Sequence, residues 1–276
     1  MKMKHTLLIL CFGIFFSSDL FSSTGGLWNN PRSSGMGNIS VMLSDHWSSQ
    51  KNPAGLAHWG RMSFGACYEN RFMVPELAAM GLGVSLPVMN GVMGLSVSSF
   101  GYELYGENNI GLAFGKILSE QFSMGIKLNY LSINQGEEYG SMGAVIGEIG
   151  VMAKISDEFN LGAHIYNVNR AKIDDYQNER VPSILRIGLG YQMNEKVLLC
   201  VEAEKDIDAK ARIKVGMDYH IIEPLFIRAG VNTNPAIVSF GFGLIWKRFI
   251  FDFSTNKHSV LGYSPQLGLI FAINKD

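Results

Sequence analysis

The sequence predicts a transmembrane antiparallel β-barrel of about 14 strands, with a secretory signal peptide and a small N-terminal plug in the lumen. Three observations carry this reading. Hydrophobicity alternates with a period of two in segment after segment. Charged residues are only 17% of the chain, while 31 of its 276 residues are glycine. The connections between alternating segments are short and long by turns. The same composition excludes other classes. A net charge of −1 gives no basic face for nucleic acid. Hydrophobic residues at 47% exclude disorder, and three cysteines exclude a disulfide scaffold.

Residues 1–24 read as a signal peptide. Lys2 and Lys4 precede an apolar run at 7–16, and mostly small or polar residues follow to Thr24. The run is too short to cross a bilayer as a helix. Cys11 falls inside it, which leaves Cys67 and Cys200 in the mature chain. They lie in separate predicted strands and read as unpaired.

Residues 25–59 read as the plug, placed in the periplasmic mouth. Gly35-Met36-Gly37 is a tight turn, residues 39–43 a short extended piece, and Asn52 caps a helix that starts at Pro53. A barrel of more than about eight strands has a lumen too wide for its wall side chains to fill, so this segment has a space to occupy. Trp28, Trp47 and Trp59 all fall in or beside it and read as packing or interface anchors.

Residues 60–276 read as the barrel. The expected strands are 61–69, 77–87, 91–100, 108–117, 121–132, 143–155, 158–168, 183–193, 196–205, 210–220, 224–232, 236–246, 247–255 and 264–274. In one of them Phe122, Met124, Ile126, Leu128 and Tyr130 alternate with Ser123, Gly125, Lys127 and Asn129. Side chains alternate across a strand, so one face is apolar and the other polar or tiny. The uncharged stretch 77–102 is long enough for a membrane helix, but Pro87 and the hairpin signal Asn90-Gly91 favour two strands. Short connections follow the even strands. Longer ones are expected at 101–108, 132–141, 167–182 and 254–263, which matches short periplasmic turns and long outside loops.

Arg186, Glu202, Glu204, Arg212, Lys214, Arg228 and Asp252 share the parity of the small residues. A Lys or Arg facing mid-membrane lipid costs about 2–4 kcal/mol, so these charges face the lumen. They form a structural ion-pair ladder, with Glu202 against Arg186 or Arg212; the alternative is a polar permeation path. Glycines 111, 115, 125, 188, 190, 216, 241 and 243 share that face and leave room beside the wall. Gly216→Ser is therefore expected to be milder than Val215→Arg.

No histidine pair has metal-ligand spacing. His164 and His220 face the lumen by parity. His258-Ser259 and the acidic group Asp174, Asp175 and Glu179 read as solvated loops, not as a catalytic pair and a calcium site. No cofactor and no enzymatic activity are expected.

The run Arg32, Gly35, Met36, Gly37, Asp45 and Asn52-Pro53-Ala54-Gly55-Leu56 resembles the PorV/PorQ family of outer-membrane proteins, relatives of the FadL-type fatty-acid channels. The stretches 181–191, Glu202 with Glu204, 216–219, 227–230 and 262–266 follow the same family's rhythm. The chain departs from the family in its modest outside loops and in ending on Lys275-Asp276 rather than an aromatic residue. The resemblance implies a hatch in the lumen and a place in the cell outer membrane among its lipids. It implies a role linked to type IX secretion, with secreted or surface proteins as partners. The alternative it implies is FadL-like uptake of a hydrophobic small molecule.

Overall fold

The computed structural model describes residues 29–136, 140–173 and 180–273. The signal peptide, Trp28 and the loop residues Asp174, Asp175 and Glu179 lie outside the described residues.

Fourteen strands form one closed sheet: β1 (Met62–Asn70), β2 (Ala78–Val88), β3 (Gly91–Tyr102), β4 (Tyr105–Ser119), β5 (Phe122–Gln135), β6 (Ser141–Lys154), β7 (Phe159–Tyr166), β8 (Ile184–Asn194), β9 (Val197–Asp206), β10 (Arg212–Ile222), β11 (Leu225–Asn232), β12 (Ile237–Trp246), β13 (Phe249–His258) and β14 (Gly262–Ile273). Each pairs antiparallel with its neighbours in sequence, and β1 closes on β14 from Met62↔Ile273 to Glu69↔Gln266. Closure leaves no sheet edge, so the ladder satisfies the backbone without water.

The uncharged stretch 77–102 is the β2–β3 hairpin, turning at Met89 and Asn90. Three connections are shorter than the sequence implies. β3 and β4 pair out to Tyr102↔Tyr105, so residues 101–108 are mostly strand. β5 and β6 pair to Asn134↔Ser141, and β13 and β14 to His258↔Gly262. The reason is that polar residues such as Glu107 and Asn256 turn inward and are buried, so the two-residue period runs on where composition suggests a loop. The β7–β8 connection, 167–183, stays long.

The two faces differ sharply. Leu128 is 63% exposed and Val215 46%, whereas their neighbours Lys127 and Lys214 are 4% and 3% exposed. A belt of exposed Leu, Ile, Val and Phe that encircles the sheet far exceeds the apolar patch of a soluble monomer, and lipid is what covers it. Val215→Arg should therefore cost about 2–4 kcal/mol. The check is the fraction that keeps the fast, unboiled gel migration after refolding into lipid. It should fall for Val215→Arg and hold for Val215→Ile; an undiminished Arg variant would mean that this face does not meet lipid.

Candidate functional site in the lumen

The N-terminal segment lies inside the barrel as three short helices, α1 (Pro31–Gly35), α2 (Ser48–Lys51) and α3 (Pro53–Trp59). Two start the same way. The Asn30 side chain accepts from the Ser33 amide ahead of Pro31, and the Asn52 side chain accepts from the Ala54 amide at 3.1 Å ahead of Pro53. Asn caps the free amides, and Pro supplies the first helical φ without needing a partner. Asn52 also donates to the Val41 and Val151 carbonyls, tying the segment to itself and to β6. Gly60, at φ 59, ends α3 and releases the chain into β1. Arg32 and Gly35 are thus helical, and Gly35-Met36-Gly37 turns out of that helix. Residues 39–43 are not extended: the Leu43 amide turns back to the Ser40 carbonyl. The Glu202 carboxylate draws this turn to the wall, accepting the adjacent amides of Ser40 and Val41 at 2.8 Å each.

The segment touches the wall through glycine. Gly268 faces Pro31, Gly241 faces Gly35, Gly216 and Gly230 face Met36, Gly162 and Gly188 face Val41, Gly150 faces Asn52, and Gly115 and Gly125 face Pro53. Several are cross-strand partners: Gly115↔Gly125, Gly125↔Gly150, Gly162↔Gly188 and Gly216↔Gly230. They make a girdle at one level of the lumen, where a Cβ at most positions would stand well inside contact distance of the segment's backbone. The room that the sequence suggests beside the wall is filled. Gly216→Ser, expected to be mild, would push its Cβ into the Met36 carbonyl. Gly111 and Gly243 serve differently: they make way for Lys127 and Asn129, and for Arg228 and Asp252.

The lumen charges form two networks rather than one ladder. In the first, Arg186 meets Glu204 at 2.7 Å, Arg212 meets Glu204 at 3.0 Å, and Lys214 meets Glu202 at 2.7 Å and Glu204 at 2.9 Å. Glu202 pairs with Lys214, not with Arg186 or Arg212, because the β9–β10 register sets Glu202 opposite Lys214 and Glu204 opposite Arg212. The network runs on through His164 to Glu148, Lys127 and Asn129 on β5 and β6. His164 sits between the Glu148 carboxylate at 2.8 Å and the Arg186 guanidinium at 3.2 Å. An imidazole there donates from Nε2 and accepts at Nδ1, which makes it neutral. In the second network Arg228 meets Asp252 at 2.5 Å and Asp218 at 3.3 Å, while Arg32 bridges Asp218 and Asp45 at 3.2 Å each. Both networks grip the N-terminal segment: Lys214 donates to the Asn38 carbonyl, and Arg32 and Asp45 belong to the segment itself.

Other singled-out residues have structural partners. His46 packs against Gly65 and Gly83, with Nδ1 2.7 Å from the Ser63 hydroxyl; burial pushes its pKa down to about 4, so the ring is neutral. Trp47 meets His46 edge-on, and the Trp59 indole donates to Ser63. His220 stacks on Phe226 at 4.3 Å. His258 accepts the Val260 and Leu261 amides and closes the β13–β14 turn. Cys67 and Cys200 are buried free thiols on β1 and β9.

Beyond the charged ring, toward the long-loop end, the lumen wall turns apolar on β5 to β8 and stays polar elsewhere, as at Glu69, Glu107 and Asn256. Leu131, Ile133, Ala144, Ile146, Tyr166 and Ile184 cluster on one side, and Ala171, Ile173 and Val181 of the β7–β8 connection fold onto them. Each step outward along these strands replaces a charge or amide by an apolar group, as from Glu148 to Ile146 and from Arg186 to Ile184. Parity alone assigns these residues to the lumen. Their meeting as one patch depends on the cross-strand register and on the connection that covers them.

No family model matches the chain, and no curated protein matches its sequence. Solved structures do match its shape. The monoaromatic hydrocarbon channel CymD superposes with a TM-score of 0.71 at 13% identity, covering 93% of this chain and 100% of that one. The Pseudomonas putida toluene transporter TodX gives 0.68 at 10% identity, over 90% and 99%. A Pseudomonas aeruginosa FadL homologue gives 0.55 at 12% identity, over 88% and 97%. The fold is that of a FadL-like barrel. At these identities the likeness concerns the fold and not the ligand.

Proposed function

We propose that the protein is an outer-membrane channel for small hydrophobic molecules. One observation carries the reading: over nearly its whole length the chain takes the fold of channels named for monoaromatic hydrocarbons and toluene. The secretion-linked role implied by the PorV/PorQ resemblance finds no support in these neighbours, and uptake, the alternative, is the better reading. No catalytic step belongs to it.

The test is uptake of radiolabelled toluene by a Gram-negative host that carries the barrel in its outer membrane. Uptake at micromolar toluene should rise several-fold over the empty host, as for a saturable path. A barrel that is folded, by its unboiled gel migration, and gives no rise would overturn the reading.

A further inference from the structure

Lys51 is left out of every pairing in the lumen. It ends α2 and is 4% exposed, and among the described residues no hydrogen bond or ion pair engages its ammonium. Its electrostatic neighbours are Arg186, Lys214, Lys127 and Glu204, on β8, β10, β5 and β9, so the ammonium lies within the charged ring. The carboxylates there are taken: Glu148 holds Lys127, Glu202 holds Lys214, and Glu204 holds Arg186, Arg212 and Lys214. Lys51 adds a positive charge that no carboxylate matches. Burial, then the charges of Arg186 and Lys214, push its pKa well below the ordinary lysine value, so it is an arriving anion that would stabilise the ammonium form. A buried ammonium without a counter-charge is costly, and an anion that arrives beside it recovers that cost. Gln50, on the same short helix, is also buried with both amide atoms unpartnered, a second unsatisfied polar group in this part of the segment.

We propose that Lys51 is an interior binding site for a compact organic carboxylate. The site rests on the channel reading and adds to it, holding those small permeants that carry a carboxylate. The ring at this level is built of Lys127, Asn129, Glu148, Arg186, Glu204 and Lys214, which offer no apolar wall to a long chain. A carboxylate on a small ring or a short chain is the class that such a polar ring would take.

Benzoate and toluene are a matched pair, differing in a carboxylate against a methyl group. Equilibrium dialysis of the full-length barrel in detergent, with protein-free micelles subtracted, measures both. Lys51→Met should weaken benzoate binding at least about tenfold, the worth of one charge-assisted hydrogen bond, and leave toluene binding unchanged. Lys51→Arg should retain benzoate binding. The Met variant removes a buried amine that has no hydrogen-bond or ion-pair partner among the described residues, so it should keep the unboiled gel migration. If the wild-type barrel does not bind benzoate, or Lys51→Met binds it as tightly, the site is overturned. If benzoate binds through Lys51 while toluene is neither bound nor taken up, the site stands and the hydrocarbon reading fails.

Discussion

Gly125→Leu will displace the N-terminal segment or stop the barrel from closing around it, whereas Gly190→Ala will do neither. Gly125 lies against backbone: a Cβ there runs into the carbonyl carbon of Pro53 and the amide of Ala54, at the first turn of α3. That turn cannot step aside, because Asn52 is held at once by the Ala54 amide, the Val41 carbonyl and the Val151 carbonyl. Its flanks are pinned by backbone contact at Gly115 and by the Asn52 and Pro53 side chains at Gly150. Overpacking a well-filled interior typically costs 1–3 kcal/mol, and a whole leucine against backbone should reach or pass ~3 kcal/mol. At Gly190 the nearest atom is the Met42 Cγ at 3.3 Å, on a flexible side chain that moves at little cost. Trypsin reads the outcome. Lys51, at 4% exposure, is protected in the intact protein, and Gly125→Leu should open the chain to cleavage there while Gly190→Ala stays resistant. Equal protection in both variants would mean that the girdle does not fix the segment.

The strands were legible because their signal is local. A two-residue period is written in each segment, and a charge facing lipid is costly enough to keep Glu202, Arg212 and Lys214 on the inner parity. What the inner face meets is not local. Gly216 reads as a place with room that the N-terminal segment could fill, but nothing in the sequence says that Met36 is the residue that meets it. Lys127 and Glu148 each look like an ordinary polar position on an alternating strand. Their pairing follows from the β5–β6 register, and their link to Arg186 depends on His164 on the strand between. In the N-terminal segment the Asn-Pro pair marks α3 in the sequence. The same pair at Asn30-Pro31 marks α1 and was the signal available there. The turn at 40–43 had no such mark, because a carboxylate of β9 sets it.

Glu202→Gln should destabilise the protein by about 3–5 kcal/mol, the usual cost of breaking a buried ion pair from one side. Glu202 is fully buried, and its two oxygens have different duties. Oε2 accepts the Ser40 and Val41 amides at 2.8 Å each, and Oε1 accepts the Lys214 ammonium at 2.7 Å. Glutamine has the same shape, but its NH2 must replace one of those oxygens. Turned one way, it sets donor against the two backbone amides; turned the other, donor against ammonium. Neither rotamer satisfies the site, and a buried donor without a partner costs about 1–3 kcal/mol in addition to the lost charge. Arg212→Gln is the control: its side chain is 22% exposed and Glu204 keeps Arg186 and Lys214, so the loss should stay near or below ~1 kcal/mol. The midpoint of urea unfolding in lipid vesicles measures both. A large shift for Glu202→Gln with a small one for Arg212→Gln makes the ring a clasp between wall and segment. Unchanged stability with altered ion conductance would instead make Glu202 part of a permeation path, since a group that solvent and permeant ions reach loses no partner when its charge is removed.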